Sequence, residues 1–254
     1  MSENIAIIFA GGSGVRLGSG LPKQFLEVGG KPIIIHTLEI FEEHPKIDAI
    51  YVACKEEYID RLEKMIERYR ITKVAGIVKG GATGQASIFN ALKAASKERD
   101  KDAVVLIHDG VRPFIPAELI DDCLDTVEKY GNAVTCAEMT ETPLYSGDGV
   151  FLDELPKRDE VFLARAPQCF HLGEVMEAHE AVRGENPDYI GIIDTCTLMK
   201  NAGYKVTLVK GPRSNIKVTM PEDIFIFRSL LEYRDTQDVF GINSRDIARD
   251  GEKE

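Results

Sequence analysis

The chain has little that would carry it into or across a membrane. Its N-terminal apolar stretch, Ile5 to Ala10, has no basic segment before it and is too short for the core of a signal peptide. No later apolar run approaches the roughly 18 residues of a membrane span. Positive charge is also scarce, because 31 Lys and Arg stand against 42 Asp and Glu, a formal net charge of −11. Since proteins that bind duplex nucleic acid usually have a basic domain, we expect neither a nucleic-acid partner nor a membrane partner.

Cysteine is sparse and lacks the spacings that mark a disulfide framework or a metal site. The five cysteines are odd in number and never form a CxxC pair. No Cys/His cluster has the spacing of zinc ligands. This pattern fits unpaired thiols in a reducing compartment, so we expect a cytoplasmic protein whose cysteines serve mainly in packing. They are Cys54, Cys123, Cys136, Cys169 and Cys196.

Three common catalytic or nucleotide-binding motifs are missing. A GxGxxG fingerprint that starts at Gly12 would need glycine at position 17, where the chain has Leu17. The sequence contains no GxxxxGK[ST] loop and no GxSxG elbow. The sequence therefore gives little support to three protein classes: nicotinamide-dependent dehydrogenases, P-loop nucleotidases and serine hydrolases of the α/β class.

An alternation of apolar and amphipathic segments predicts the fold class. Short apolar runs typical of strands occur at 5–10, 49–54, 74–78, 103–108 and 133–139. Segments with the apolar spacing of amphipathic helices lie between them, at 32–43, 55–69, 85–99 and 116–130. Strands this apolar, alternating with helices, predict an α/β doubly wound domain with a mainly parallel sheet covered on both faces.

The alternation stops at 140–160, where Ser-Gly-Asp-Gly between two short apolar stretches indicates a hairpin that projects as a β-arm. Beyond the arm, we expect a single domain to continue to residue 234, followed by a charged C-terminal tail at 235–254. The predicted elements in this part are a strand at 161–170, helices at 172–183 and 194–202, strands at 204–211 and 215–219, and a helix at 221–233.

A glycine-rich loop directly follows the first strand. It runs from Ala10 through Gly18, and its bare backbone N–H groups suit a phosphate at the carboxyl end of a parallel strand. Two cations, Arg16 and Lys23, lie in or just after it. The alternative is that the glycines only turn the chain and the cations are solvated. We favour a loop that binds a triphosphate.

Asp109 and Arg112 follow the strand at 103–108 and so emerge at the same edge of the sheet. An acid beside a triphosphate is a suitable Mg²⁺ ligand, since this ion takes one or two carboxylates together with phosphate oxygens and water. A local ion pair between Asp109 and Arg112 that shapes the loop is the other interpretation. His108, at the end of a buried strand, is expected to be a structural hydrogen-bonding residue.

Four segments together resemble one known family. AGGSGVRLGSGLPKQFLEVGGKPIIIHTLEIF (10–41), HDGVRPFI (108–115), RAPQCF (165–170) and NIKVTMPEDI (215–224) are similar, in this order, to the signatures of the cytidylyltransferases that make CDP-methylerythritol and CDP-ribitol. The resemblance extends over about 230 residues. LPKQF and HDxVRPF resemble the ribitol-5-phosphate branch more than the methylerythritol branch. The resemblance implies a Rossmann-like nucleotidyltransferase fold and the use of CTP and Mg²⁺.

The resemblance also implies roles for individual residues. Catalytic cations would be Arg16, Lys23 and Lys217, and Asp109 would bind the metal. The acceptor would be held by Arg112, Thr142 and Arg158, with the arm's arginine reaching a partner subunit, which implies a homodimer through 140–160. The nucleotide would contact Ala10, Gly11, Gly12, Gly14, Gly80, Gly81 and Ser87.

The implied reaction joins CMP from CTP to a polyol phosphate, with D-ribitol 5-phosphate as the expected acceptor, and releases pyrophosphate. Departures from the family pattern at Ala82, Gly84 and Ala166 leave the acceptor open. One alternative acceptor is 2-C-methyl-D-erythritol 4-phosphate, so the product would serve cell-surface polysaccharide or isoprenoid precursor synthesis. A nucleotidyltransferase that uses another NTP and a non-catalytic nucleotide-binding protein are further alternatives.

Overall fold

The computed structural model describes residues 2–12 and 21–240, without the side chains of 237–240. In chain order, its elements are β1 (Asn4–Ala10), β2 (Glu27–Val28), β3 (Lys31–Pro32), α1 (Ile33–Glu43), β4 (Ala49–Cys54), α2 (Ile59–Arg68), β5 (Val74–Lys79), α3 (Gly84–Ala95), β6 (Val104–Asp109), α4 (Ala117–Tyr130), β7 (Ala133–Glu138), β8 (Phe162–His171), α5 (Leu172–Glu185), α6 (Thr195–Asn201), β9 (Leu208–Lys210) and α7 (Pro221–Phe240). Short 3₁₀ turns occur at Lys23–Phe25, Glu56–Tyr58 and Arg158–Glu160.

Seven of these strands form one sheet in the order β5-β4-β1-β6-β8-β7-β9. Strands β5, β4, β1 and β6 are parallel neighbours, whereas β8 is antiparallel to both β6 and β7. The predicted mainly parallel sheet is confirmed. The chain leaves β1 toward β4 on one side and reaches β6 on the other, so a crevice opens at the carboxyl ends of β1 and β6.

Both faces of the sheet are covered, as a doubly wound fold requires. Alternate residues of β1 point to opposite faces: Ala6 and Ile8 pack with residues of α1, α2 and α4, whereas Ile5 and Ile7 pack with residues of α3, α5 and α6. All four side chains are fully buried. Strand β1 is apolar at nearly every position because both of its faces are buried; a strand with one solvent-exposed face would alternate apolar and polar residues.

The last helix, α7, packs through a third apolar cluster. Its residues Phe227 and Leu231 join Val28, Val111 and Val218, all of them buried. The helix continues to Phe240, beyond the end at residue 233 that the sequence pattern predicts. Residues 241–254 of the predicted tail lie outside the described residues.

The prediction of a strand at 215–219 is wrong, because these residues do not form one. The segment makes turn-like hydrogen bonds instead, from the N–H of Asn215 to the carbonyl of Pro212 and from that of Ile216 to Ser214. Its backbone bond to the loop after β6 runs from the Val218 N–H to the Val111 carbonyl. The neighbouring prediction at 204–211 is confirmed only for Leu208–Lys210. The apolar run in 215–219 therefore reflects burial against α7 rather than a strand.

The segment 140–160 leaves the sheet as the sequence predicts. Its two limbs meet at one antiparallel bridge, between Tyr145 and Glu154. Asp148 shapes the turn, because its Oδ1 accepts hydrogen bonds from the backbone N–H groups of Val150 and Phe151. Large apolar side chains of the arm are exposed, with Phe151 at 72%. We call this segment the arm.

The described cysteines are all free thiols, four of them buried and Cys196 half-buried. Burial raises the pKa of the Cys54 thiol to about 11, which keeps it protonated and unreactive at neutral pH. Burial likewise raises the pKa of Cys136 and Cys196. These thiols fit the predicted packing role. Among the described helices, none has both the length and the apolar character that crossing a bilayer demands.

Candidate active site

An ion cluster occupies the carboxyl end of β6. Asp109 is the last residue of this strand and is 5% exposed. Its Oδ2 accepts a hydrogen bond of 2.8 Å from Arg112 Nε, and its Oδ1 lies 2.5 Å from Lys217 Nζ. The predicted Asp109–Arg112 ion pair therefore exists, and it is part of a larger arrangement that includes Lys217. One carboxylate holds two cations that come from different parts of the chain.

The charge of Asp109 is stabilised by these cations. Burial by itself raises the pKa of the carboxyl group, but the attraction of Lys217 and Arg112 and their hydrogen bonds outweigh it, so the pKa is lowered overall. Asp109 is consequently ionised at neutral pH. It remains able to accept a metal ion or further hydrogen bonds, since each carboxylate oxygen has two lone pairs.

Arg165 and Asn215 hold the loop that carries Lys217. Arg165 on β8 donates from its guanidinium to the backbone carbonyls of Arg213 and Asn215. Arg112 donates to the same Asn215 carbonyl at 3.1 Å, and Asn215 Nδ2 donates to the Ala166 carbonyl at 2.7 Å. These bonds replace the strand pairing that the sequence led us to expect and fix the loop against the sheet edge.

His108 lies behind this cluster and is fully buried. Its Nε2 bonds to the Arg112 carbonyl at 3.1 Å, and its ring packs edge-on against Phe41. Burial lowers the pKa of His108 to about 4, so the ring is neutral at pH 7. It supports the backbone of the loop after β6, in agreement with its predicted structural role.

A glycine-lined cavity of about 620 Å³ lies on one side of the cluster. Gly11 and Gly12 follow β1 and Gly81 follows β5, and the Gly81 N–H donates to Ser87 Oγ at 3.0 Å. A Cβ atom on Gly81 would lie 2.3 Å from the Cβ of Ala86, so only glycine fits there. Because glycine has no side chain, a phosphate in this cavity can come close to the backbone, including the N–H groups of Gly11 and Gly12.

Lys23 lines the same cavity from a short 3₁₀ turn. The next residue, Gln24, is 1% exposed and donates from Nε2 to the Ala10 carbonyl at 2.7 Å. This bond joins the turn to the end of β1. Lys23 is thus held beside the glycine loop by its neighbour in the sequence.

A second cavity, of about 280 Å³, lies on the other side of the ion cluster. It is lined by Arg112 and Arg165, by Gln85 of α3, and by Asp194 and Thr195 at the start of α6. Asp109, Lys217, Phe9 and Gly84 line both cavities. The ion cluster therefore stands where the two cavities meet.

The structure brings together most of the residues that the sequence nominated. Ala10, Gly11, Gly12, Lys23, Gly81 and Ser87 line the first cavity, and Arg112 lines the second. Gly80 lies behind the first cavity, with its N–H bonded to the Cys54 carbonyl. Gly14 and Arg16 lie outside the described residues.

Two of the predicted acceptor residues do not reach this site within one chain. Thr142 is exposed on the arm. Arg158 lines a separate cavity of about 480 Å³ together with Glu138, Thr140 and Lys210. Neither residue lines the first or the second cavity.

Sequence reasoning missed three residues of the second cavity as site residues: Gln85, Arg165 and Thr195. Arg165 stands inside the quoted RAPQCF segment, and Gln85 lies between Gly81 and Ser87, so proximity to motifs could have nominated both. Thr195 has no such signal, because a threonine at the start of a helix is ordinary.

The described residues contain no group of three or more His, Cys, Asp or Glu that could hold a metal by themselves. Asp109 is the one carboxylate that lines the first cavity within that part of the chain. A single carboxylate suits a metal that takes its other ligands from phosphate and water, as Mg²⁺ does, and does not suit zinc.

A doubly wound sheet, a glycine-lined cavity at its switch point and cations around one carboxylate define an α/β nucleotidyltransferase. The family model IspD: 2-C-methyl-D-erythritol 4-phosphate cytidylyltransferase matches residues 4–232. The chain belongs to this family. It is therefore a CTP-dependent nucleotidyltransferase.

Individual relatives agree with this membership. A protein of Streptococcus agalactiae serotype V named ribitol-5-phosphate cytidylyltransferase is 42% identical over 241 residues, 94% of this chain and 99% of that protein. A 2-C-methyl-D-erythritol 4-phosphate cytidylyltransferase of Clostridium botulinum strain 657 is 37% identical over 91% of this chain and 99% of its own length. The crystal structure of 4-diphosphocytidyl-2C-methyl-D-erythritol synthase from Anaerococcus prevotii has a TM-score of 0.79 at 29% identity, covering 91% of this chain and 96% of that one.

Proposed function

We propose that this chain transfers CMP from CTP to D-ribitol 5-phosphate and releases pyrophosphate. A phosphate oxygen of the acceptor attacks the α-phosphorus of CTP, and the bond from that phosphorus to the bridging oxygen of the β-phosphate breaks. The observation that carries the proposal is the pair of cavities that meet at Asp109 and Lys217. Two anionic substrates have to meet in line, and adjoining cavities provide such an arrangement.

The first cavity suits the nucleotide. Backbone N–H groups at Gly11 and Gly12 can approach a triphosphate closely, Gly81 leaves room for it because it has no side chain, and Lys23 adds positive charge. Arg16, outside the described residues, is assigned to the same role by the family resemblance. Together these groups would stabilise the charge on the α-phosphate and on the leaving pyrophosphate.

Lys217 is the central cation of the proposal. Its side chain is 41% exposed while its ammonium group contacts Asp109, so it can turn toward a phosphate that enters either cavity. It would neutralise charge between the two substrates during transfer. Arg112 would bind the acceptor's phosphate from the second cavity, where it is fixed by Asp109 and the Asn215 carbonyl.

We infer that Mg²⁺ binds with Asp109 as its protein ligand and phosphate oxygens as other ligands. The ionised state of Asp109 and its place on both cavities support this assignment. When bound, the ion supplies charge neutralisation to the triphosphate. Activity should disappear when EDTA removes divalent cations and return on addition of excess MgCl₂.

We infer that the enzyme is a cytoplasmic homodimer in which the arm of one subunit completes the site of the other. Exposed apolar residues on the arm, such as Val150 and Phe151, favour a protein contact there. Thr142 and Arg158 do not line their own chain's two central cavities and would contact the partner's acceptor. The free thiols are consistent with a reducing compartment.

The alternative acceptor is 2-C-methyl-D-erythritol 4-phosphate. The name of the family model and the Clostridium relative favour it. The higher identity of the Streptococcus relative favours ribitol 5-phosphate. A matrix of CTP, UTP, GTP and ATP against ribitol 5-phosphate, methylerythritol 4-phosphate and glycerol 3-phosphate separates these possibilities when pyrophosphate release is measured. We expect CTP with ribitol 5-phosphate to be the best pair, and a higher kcat/KM for another pair would contradict the proposal.

Lysine variants test the assigned site. Lys23→Ala and Lys217→Ala should each lower kcat by about 100-fold or more, because a charge that stabilises the transition state is lost. Lys64→Ala, a change of the same type at an exposed position of α2, should leave kcat unchanged. Near-normal turnover in a folded Lys217→Ala enzyme would exclude the role of Lys217.

A further inference from the structure

Two buried polar atoms at the second cavity have no hydrogen-bond partner among the described residues. They are Oε1 of Gln85, a residue 3% exposed, and Oγ1 of Thr195, a residue 1% exposed. Three further side-chain atoms in the described part of the chain share this state, on residues that do not line this cavity. A buried polar atom without a partner destabilises a folded protein, so its presence calls for an explanation.

Neither Gln85 Oε1 nor Thr195 Oγ1 caps the helix in which its residue lies. Gln85 lies in the first turn of α3, where Thr83 caps the helix by accepting the Ala86 N–H at its Oγ1. Thr195 is the first residue of α6, which Asp194 caps by accepting the Thr197 N–H. Both helix starts are therefore satisfied by other residues, and the Gln85 amide oxygen and the Thr195 hydroxyl remain available.

Another glutamine of the same cavity, Gln168, has a structural role and serves as a comparison. Gln168 also lines it, but both atoms of its amide are engaged. Its Oε1 accepts the Cys196 N–H at 2.8 Å, and its Nε2 contacts the Arg165 carbonyl and Asp194 Oδ2, each at 3.2 Å. Gln168 joins β8 to the start of α6. Gln85 and Thr195 make no such connection.

We propose that Gln85 and Thr195 bind the carbon-chain hydroxyl groups of the polyol phosphate acceptor. This assignment rests on the proposed function and identifies the residues that recognise the acceptor's carbon chain. An amide oxygen accepts an O–H, and a threonine hydroxyl both donates and accepts, so the pair matches alcohol groups better than a further phosphate. The cations Arg112 and Lys217 line the same cavity and suit the phosphate of that molecule.

The arrangement defines a class of ligand with two chemically different ends. A dianionic phosphate needs the cations, and hydroxyl groups placed along the carbon chain are needed to pair with Gln85 and Thr195. A site that contains unpaired hydrogen-bonding groups disfavours an acceptor that cannot pair with them. Short acceptors with few hydroxyl groups should therefore bind weakly, although their phosphate is the same.

Two near-isosteric variants test the assignment. Thr195→Val and Gln85→Met should each raise the KM for ribitol 5-phosphate by about 3- to 10-fold, the usual effect of one lost neutral hydrogen bond. The KM for CTP should not change. The inhibition constant of glycerol 3-phosphate, which has fewer hydroxyl groups, should change less than the KM for ribitol 5-phosphate.

Thermal stability separates ligand binding from a structural role. The melting temperature of Thr195→Val should equal or exceed that of the wild type, because an unpaired buried hydroxyl is replaced by a methyl group. Thr126→Val is the matched control. Its hydroxyl bonds the Asp122 carbonyl on the exposed side of α4, and its kinetics should be those of the wild type.

The outcomes are distinguishable. If the wild type turns over ribitol 5-phosphate and both variants keep their KM, the assignment of Gln85 and Thr195 is wrong while the proposed function holds. A lower melting temperature of Thr195→Val, or an equal loss for CTP and every acceptor, would also overturn it. If the wild type is inactive with every polyol phosphate, the proposed function fails and the assignment fails with it.

Discussion

Replacing Asp109 by asparagine should weaken both the fold and the reaction. The substitution keeps the shape of the side chain but leaves Arg112 and Lys217 without a negative partner at the end of β6. Asp109 and Arg112 are well buried, with side chains 7% and 12% exposed, whereas the Lys217 side chain is 41% exposed. Breaking a buried ion pair costs about 3 to 5 kcal/mol, and the solvated lysine places this case at the lower end, about 3 kcal/mol.

For a chain of this size, that loss corresponds to a fall in melting temperature of roughly 6–12 °C, at about 2–4 °C per kcal/mol. The matched control is Glu39→Gln. Glu39 pairs with Lys31 at 2.7 Å, and this lysine is also 41% exposed, but Glu39 itself is 23% exposed. An ion pair in that setting contributes at most about 1 kcal/mol.

The pH dependence provides a further check on Asp109. Its pKa is lowered in the folded state, so its contribution to stability is complete above the unfolded value, about 3.9, and is lost as the pH falls through the folded value. The difference in melting temperature between wild type and Asp109→Asn should accordingly shrink below about pH 4. Pyrophosphate release at pH 7 should fall by about 100-fold or more. A variant that melts within 2 °C of the wild type, by the same scale, and retains normal turnover would refute the reasoning.

Three further results are expected. Gly81→Ala should lower the free energy of unfolding by about 1–3 kcal/mol and raise the KM for CTP, because its Cβ would lie 2.3 Å from a neighbouring methyl carbon. The control Gly84→Ala, whose Cβ would have nothing nearer than 4.0 Å, should melt like the wild type. Burial lowers the pKa of His179 to about 3, so its contribution to stability is complete above about pH 6.5 and is lost on acidification. The free energy of unfolding of His179→Gln, measured in urea, should therefore change less with pH than that of the wild type, by up to about 1.4 kcal/mol per pH unit. Co-expressed Arg158→Ala and Lys217→Ala chains should recover roughly a quarter of wild-type activity overall, because about half of the dimers are mixed and each mixed dimer has one intact site of two; no recovery would exclude a site shared between subunits.

Much of the scaffold could be predicted because it depends on local patterns. The runs at 5–10 and 103–108 are apolar apart from His108, as a strand covered on both faces requires. The edge at which Asp109 emerges follows from the direction of its strand. The arm could be predicted because a Gly-rich turn interrupts the alternation and no helix follows.

The remainder depends on contacts between distant residues. Arg112 and Asn215 are 103 positions apart, and their hydrogen bond holds a loop that has the apolar pattern of a strand but packs against α7. Gln85 and Thr195 are ordinary residues for the start of a helix. Only the completed fold reveals that each is buried beside a cavity without a partner.

Strand β8 runs against its neighbours, so it begins at the edge of the sheet where the parallel strands end. The chain leaves the arm at Arg158, passes one 3₁₀ turn and enters β8, where Arg165 and Ala166 already line the second cavity. The base of the arm and one wall of this cavity are thus encoded by one short, continuous stretch of sequence. In the proposed homodimer, an insertion within that stretch would change both the subunit contact and the acceptor-binding wall, while the residues that line the first cavity would stay the same. Because β8 is antiparallel, the base of the arm and this wall of the second cavity are adjacent in the sequence as well as in space.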